Sequence, residues 1–201
     1  MSEKLDLLDW KRRIVGLYAE ARAATDPAEG WRRWREERDR LFRTHPQSPR
    51  PGFQGLSYFP YDAGLRFLGD VVAAEPERRL IGSSGEKPVA FTRFATAQFD
   101  GHELELFWLD GYGGGLFLPF RDETSGQETY GAGRYLLDTV KGADLGMVEG
   151  RLVLDFNFAY NPSCAYDPSW VCPLSPPANL LAIAVRAGEL KPEEGLEPTT
   201  V

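Results

Sequence analysis

Cysteine and histidine are scarce in this 201-residue chain, which has two of each. A tetrahedral structural zinc site takes four such ligands, typically with cysteines in closely spaced pairs. Seven residues separate Cys164 from Cys172, and His45 and His102 lie far from both in the chain. All four would have to converge from separate elements, so we predict no metal site, and the sequence indicates no particular cofactor.

Positive charge and long apolar runs are also lacking. The net charge is -7 and the pI is about 5.0, whereas phosphate backbones and anionic lipids attract surfaces rich in Lys and Arg. No run is long enough for a transmembrane helix, and the start lacks the apolar core of a signal peptide. We therefore expect no nucleic-acid partner, no membrane association, a cytoplasmic location and cysteines that remain free thiols.

The first part of the chain predicts two helices. Apolar residues recur at helical spacing over residues 3–24. Asp26 followed by Pro27 is a strong helix start, because the carboxylate caps free N–H groups and proline suits the first helical position. We expect the second helix to continue to about Thr44 and to end at His45 and Pro46.

Tryptophan lies on one side of the second predicted helix. Trp31 and Trp34 share that side, while acids and arginines alternate elsewhere. This pattern favours an apolar stripe against a core and a salt-bridged solvent face. The alternative is a partner-binding module that uses this Trp-bearing helix.

Beyond a Pro- and Gly-rich connection at 47–62, short β-rich runs are separated by Gly, Asp and Ser. Parallel strands need crossover helices, and none is evident. We predict a mainly β (α+β) fold: an antiparallel β barrel or sandwich with two N-terminal helices and a proline-rich C-terminal flap. The predicted single domain covers 1–188 (helical pair 1–46, β structure 63–188), followed by a polar tail at 189–201.

Polar residues alternate with apolar ones in the run RLVLDFNFAYN. If residues 151–161 form one strand, Phe156, Phe158 and Tyr160 share one face, and Asp155, Asn157 and Asn161 share the other. The polar face lies either in solvent or along a cavity. Arg121 and Arg134, on neighbouring predicted strands, offer donors for a carboxylate or phosphate, although an internal ion-pair network is the competing interpretation.

The stretch DFNFAYNPSCAYDPSWVCPL contains both cysteines and leads into a proline-rich segment. Five prolines lie between Pro162 and Pro177 and restrict the backbone, so a long loop can stay ordered. A loop of this length in a compact domain usually covers something or builds a site. We predict a rigid flap over 161–177, packed on one end of the β structure.

Two predictions about function follow. In the first, the protein binds a small polar or anionic ligand in a pocket under the flap. The ligand-binding candidates are Arg121, Arg134, Asn157, Tyr160, Asn161 and Cys164. In the second, the protein is a hydrolase-like enzyme with Cys164 or Asp155 as its reactive group and His102 as a base. For Cys164, the competing interpretation is that of a small buried packing residue.

Two long motifs resemble the bacterial and archaeal domain of unknown function 1684 family. They are GYGGGLFLPFRDETSGQETYGAGRYLLDTVKG and LVLDFNFAYNPSCAYDPSWVCPLSPPANLLAIAVRAGE. The resemblance extends over most of the chain, including GLSYFPYD, and implies homology without supplying a reaction. The motif positions that it implies are Arg134, Tyr135, Asp155, Asn157, Tyr160, Asn161, Cys164 and Cys172.

Overall fold

A computed structural model describes residues 2–53 and 55–192 of the chain. Helix α1 covers Glu3–Ala23 and helix α2 covers Pro27–Thr44. Asp26 caps α2, because its Oδ1 accepts a hydrogen bond from the Ala28 N–H at 3.0 Å, and the helix ends at His45. Both helices therefore lie where the sequence predicts them.

Seven strands follow the helices. They are β1 (Arg66–Ile81), β2 (Val89–Phe99), β3 (His102–Leu109), β4 (Gly115–Phe120), β5 (Arg134–Asp138), β6 (Met147–Val148) and β7 (Arg151–Asp155). They form one curled, half-barrel sheet in the order β5-β4-β3-β2-β1-β7-β6, with antiparallel neighbours throughout. The predicted mainly β, α+β fold with two N-terminal helices is confirmed.

The β2–β3 hairpin illustrates how local sequence sets the register of the sheet. Phe99 pairs with His102, so only Asp100 and Gly101 form the turn. Both have positive φ, at 44° and 76°, as a tight two-residue turn requires, and Asp-Gly is a preferred pair there. The turn therefore matches the twist of its two strands.

The two tryptophans of α2 pack on the turn that follows β7. Trp34 is 1% exposed, and its ring centroid lies 5.0 Å from that of Phe158. The Trp31 indole is also buried and donates to the Asn157 carbonyl at 2.7 Å. Because both indoles are buried within the chain, neither presents a surface to a partner, and the alternative of a partner-binding module that uses the N-terminal helices gains no support from them.

Fewer apolar side chains of α1 are buried than the helical spacing of its apolar residues predicts. Leu17 and Tyr18 are buried in the core, whereas Leu5, Leu8 and Val15 are exposed. Trp10, in the first half of the helix, packs against Phe42 and His45, with ring centroids 6.0 and 5.2 Å apart.

The single strand predicted over residues 151–161 is wrong beyond Asp155. Strand β7 ends there, and residues Phe156–Phe158 form a turn of 3-10 helix. The Asp155 carboxylate accepts the Asn157 N–H at 3.1 Å, and this contact caps the turn. The predicted alternation of faces therefore stops at Asp155, and Phe156, Asn157 and Phe158 are all buried.

Residues after this turn cross to the other end of the sheet. Tyr160 and Tyr135 of β5 exchange backbone hydrogen bonds of 2.9 and 3.0 Å. The flap then returns to the end of β1, where the Leu174 N–H donates to the Gly82 carbonyl at 2.8 Å and the Ser84 N–H to the Cys172 carbonyl at 2.9 Å. The segment is thus anchored on both of its sides.

The predicted polar tail begins inside the folded region. Glu189 is 1% exposed and faces the buried Arg38. The remainder of the tail, from residue 193 onward, lies outside the described residues.

Candidate functional site

Arg134 has a set of partners typical of a structural ion pair. Its guanidinium donates to the Asp122 carboxylate at 2.8 Å, to the Val185 carbonyl at 3.0 Å and to the Ala187 carbonyl. Both charged side chains are almost completely buried. Burial lowers the pKa of Arg134, and Asp122 opposes this shift. Through its hydrogen bonds to the Val185 and Ala187 carbonyls, Arg134 holds the C-terminal segment against β5.

Asn157 joins the turn after β7 to the connection that precedes β1. Its Oδ1 accepts the Asp62 N–H and its Nδ2 donates to the Asp62 carbonyl, both at 2.8 Å. Nδ2 also donates to Asp155 at 2.8 Å. The amide is therefore occupied by contacts within the protein.

Asp155 is a buried carboxyl beside a small cavity. Burial raises its pKa to about 6, although hydrogen bonds from Asn157 and the charge of Arg66 oppose the shift. The Arg66 Nε lies 3.6 Å from Oδ2. Asp155 and Arg66 line a cavity of about 120 Å³, together with Arg22 and apolar residues that include Phe158.

Arg121 contributes its backbone to a different set of contacts. Its backbone pairs with the segment after the flap, accepting from the Leu181 N–H at 2.8 Å and donating to the Asn179 carbonyl at 2.9 Å. Its Nε is buried without a hydrogen-bond partner in the described part of the chain. Arg121 does not line the cavity described below.

Cys164 and Cys172 are buried free thiols that face each other. Tyr130 places its hydroxyl 3.8 Å from the Cys164 sulfur. Hydrogen bonding from Cys172 is the largest cause that lowers the pKa of Cys164, to about 6, and Ser84 and Tyr130 add to it. The same contact, together with burial, raises the pKa of Cys172.

His102 has different surroundings from both proposed reactive groups. It begins β3 beside the hairpin turn, and its ring lies 5.9 Å from that of Phe99. No hydrogen bond between described residues joins His102 to Cys164 or Asp155. Nor do the described residues contain a cluster of three or more His, Cys, Asp or Glu side chains suited to a metal ion.

A second cavity, of about 70 Å³, lies between the helices and the residues that follow β7. We call it the aromatic cavity. Its aromatic wall consists of Trp10, Tyr18, Phe42, Tyr135 and Tyr160, and its polar lining residues are Arg38, Lys141, Asn161 and Ser163. Of the predicted ligand-binding residues, it contains Tyr160 and Asn161.

Asn161 is incompletely satisfied in the aromatic cavity. Its Nδ2 donates to the Leu190 carbonyl at 2.7 Å, and its backbone N–H donates to Glu189 at 2.9 Å. Its Oδ1 is buried and has no hydrogen-bond partner within residues 2–53 and 55–192. A buried acceptor without a donor costs about 1–3 kcal/mol.

Arg38 supplies a buried positive charge in the same cavity. Its Nη1 lies 3.1 Å from Glu189 Oε2 and donates to the Tyr58 hydroxyl at 2.8 Å. The guanidinium carbon lies 4.6 Å from the ring centre of Phe42. Burial raises the pKa of Glu189, and Arg38 opposes that shift.

Sequence reasoning missed Arg38, Glu189 and Lys141 as site residues. The signal for Arg38 is its position: it lies four residues after Trp34 and four before Phe42, on the apolar side of α2. Glu189 has no such signal, since its neighbours are those of a polar tail.

The residues predicted to form one ligand pocket thus contact different partners. Arg134 contacts Asp122, Asn157 contacts Asp62, and Cys164 contacts Cys172. Tyr160 and Asn161 come together, but in the company of residues from the helices.

Two comparisons with known proteins find relatives of uncharacterised function. The model of a family described as "Protein of unknown function (DUF1684)" matches residues 51–190. The solution NMR structure of an uncharacterised protein from Haloarcula marismortui is 39% identical, covers 80% of this chain and 92% of that chain, and superposes with a TM-score of 0.56. No curated protein matches the chain.

No helix within the described residues is both long and apolar enough to cross a membrane.

Proposed function

The chain belongs to the DUF1684 family, and we propose that it binds a small polar or anionic ligand in the aromatic cavity. The observation that carries this proposal is the unpaired Oδ1 of Asn161, a buried acceptor on a residue that lines a cavity with an aromatic wall. Binding sites combine apolar walls with a few fixed polar groups in this way. A ligand hydroxyl or N–H would supply the donor that Asn161 lacks.

The size of the cavity limits the ligand. A volume of about 70 Å³ is about half that of an engineered apolar cavity of ~150 Å³ that binds benzene. We therefore expect a short molecule, or the short end of a longer one, to enter.

The charge near the cavity favours a ligand with an anionic group. Lys141 has a half-exposed ammonium 3.4 Å from Asp138 Oδ2, and it lines the cavity. Arg38 is held by Glu189 deeper in the same lining. Since Lys141 is the more exposed cation, it is the group that an incoming carboxylate or phosphate would contact.

Ligand-observed NMR can test the proposal with defined probes: acetate, propionate, butyrate and inorganic phosphate, with 1-butanol as the uncharged comparison. Ile14→Trp should fill the cavity and abolish saturation transfer to every bound probe. Lys141→Met should weaken anion binding by roughly three- to tenfold, because it removes a partly exposed charged donor.

Lys87→Met is the matched control, because Lys87 is an exposed lysine outside the cavity lining. It should leave binding unchanged. The proposal is wrong if no probe binds, or if Ile14→Trp binds the probes as the wild type does.

A second candidate function is acid–base chemistry at Asp155. It is favoured by one observation: a carboxyl with a pKa of about 6 lines a cavity of about 120 Å³ beside Arg66. Groups that titrate near neutrality are suited to proton transfer. If a turnover is found, Asp155→Asn should abolish it and should remove an ionisation near pH 6 from its rate profile.

We also retain a cytoplasmic location, and no nucleic-acid partner, as proposals. They are supported by two thiols that remain unbonded and by a net charge of -7. Cell fractionation and a nucleic-acid filter-binding assay would test them.

A further inference from the structure

We propose that Cys164 and Cys172 form a reactive dithiol that peroxide converts into an intramolecular disulfide, with Cys164 reacting first. Both thiols lie in the flap and face each other under its surface. The inference does not depend on a ligand in the aromatic cavity, since neither cysteine lines that cavity.

The flap holds the two sulfurs in place from separate directions. Cys164 lies in a turn of 3-10 helix formed by Ser163–Ala165. Cys172 is fixed to the segment beyond β1, because its N–H donates to the Ser84 hydroxyl at 2.9 Å and its carbonyl accepts the Ser84 N–H at 2.9 Å. The backbone contacts on both sides of the thiols do not involve the sulfur atoms.

The surroundings of the two thiols differ in a way that sets the order of reaction. Cys164 is close to the Tyr130 hydroxyl, at 3.8 Å, and receives hydrogen bonds from Cys172 and Ser84 that lower its pKa. Cys172 is the more deeply buried of the two, and its pKa is raised. Since the thiolate is the nucleophile, and Cys164 is both the less buried thiol and the one beside the Tyr130 hydroxyl, Cys164 attacks and Cys172 resolves.

The chemistry balances with hydrogen peroxide as the oxidant. The Cys164 thiolate attacks one peroxide oxygen, the O–O bond breaks, and a proton from solvent completes the products, a sulfenic acid and water. The Cys172 thiol then attacks the Cys164 sulfur. Its proton leaves with the hydroxyl group as a second water, and the S–S bond forms.

Mass spectrometry of the full-length, reduced protein tests the proposal after exposure to hydrogen peroxide and alkylation of the remaining thiols. The monomer should lose the mass of two hydrogen atoms and take up no alkylating agent. Its digest should contain a peptide that links Cys164 to Cys172. A link between two chains, oxidation of Cys164 to sulfinic acid, or protection of both thiols until the protein is unfolded in urea would overturn the proposal.

Single variants check the order of the two steps. Cys172→Ser should stop at a Cys164 sulfenic acid that dimedone traps. In Cys164→Ser, Cys172 should react at least ~10-fold more slowly than Cys164 does in Cys172→Ser, because Cys164 is the less buried thiol and keeps the Ser84 and Tyr130 hydrogen bonds that lower its pKa after Cys172 is replaced. The proposed order is wrong if Cys172 reacts as fast or faster. The wild-type disulfide is measured independently, so a variant that misfolds cannot decide the result.

Discussion

Two buried arginines, Arg134 and Arg38, occupy very different surroundings. Arg134 donates to one carboxylate and to three backbone carbonyls, which join the C-terminal segment to β5. Arg38 contacts one carboxylate and one hydroxyl, and lies beside free space lined by aromatic rings. The comparison teaches that a buried charge does not by itself identify a site, because the same residue type can hold a fold together or line a cavity.

Arg134→Met should have the largest effect on stability. The substitution leaves the Asp122 carboxylate buried without its cation and removes donors from the Val185 and Ala187 carbonyls. We expect a loss of about 3–5 kcal/mol in the free energy of unfolding, measured by urea denaturation. A loss below ~1 kcal/mol would contradict the structural role of Arg134.

Arg38→Met should be less harmful, and its cost should depend on pH. Burial already raises the pKa of Glu189, so the carboxyl can take up a proton when its partner is lost. We expect a loss of about 2–3 kcal/mol at pH 7 and a smaller loss at pH 5, where the proton is readily available. Equal losses at both pH values would show that Glu189 remains charged.

Asp155→Asn tests a buried acid, as the two previous variants test buried arginines. The folded-state pKa of about 6 is above the ordinary value of 3.8, so the folded protein holds the proton more tightly than the unfolded chain. The stability that Asp155 contributes is therefore present below pH ~4 and is lost as the pH rises to ~6.

As the pH rises between these values, the free energy of unfolding of Asp155→Asn should increase by about 2 kcal/mol relative to that of the wild type, because the wild type alone loses the contribution of the raised pKa. Urea denaturation at pH 4 and pH 7 measures this difference. A difference between the two proteins that does not vary with pH would contradict the raised pKa.

Tyr58→Phe should have the smallest effect. It removes only the hydroxyl that accepts from Arg38 at 2.8 Å, and the ion pair with Glu189 remains. We expect a loss of about 0.5–1.5 kcal/mol by the same denaturation assay. A larger loss than that of Arg38→Met would mean that the Tyr58 hydroxyl stabilises the protein through contacts other than the one with Arg38.

Local patterns predict much of this fold. Asp26 and Pro27 place the start of α2 because capping depends on adjacent residues. Asp100 and Gly101 form a hairpin turn for the same kind of reason. The strand predicted over residues 151–161 is correct only as far as Asp155, because period-two alternation continues in the sequence whereas the side chain of Asp155 caps a turn.

The candidate site is less predictable than the fold. Tyr160 and Asn161 are recognisable as polar or aromatic neighbours of a flap, but their partners come from α2 and from the end of the described chain. The two cysteines are close in sequence, yet their different pKa directions depend on Ser84 and Tyr130, which arrive from β-sheet connections.

The sequence by itself determined the helices, the antiparallel strands, the family resemblance and the proline-stiffened flap, since each depends on local backbone preference or on a contiguous motif. Only the tertiary structure decided which buried charges are paired and which line a cavity. That outcome depends on contacts between residues as distant as Arg38 and Glu189. A charged side chain looks the same in the sequence whether its partner is water or a buried ion, and its surroundings are set when the layers pack.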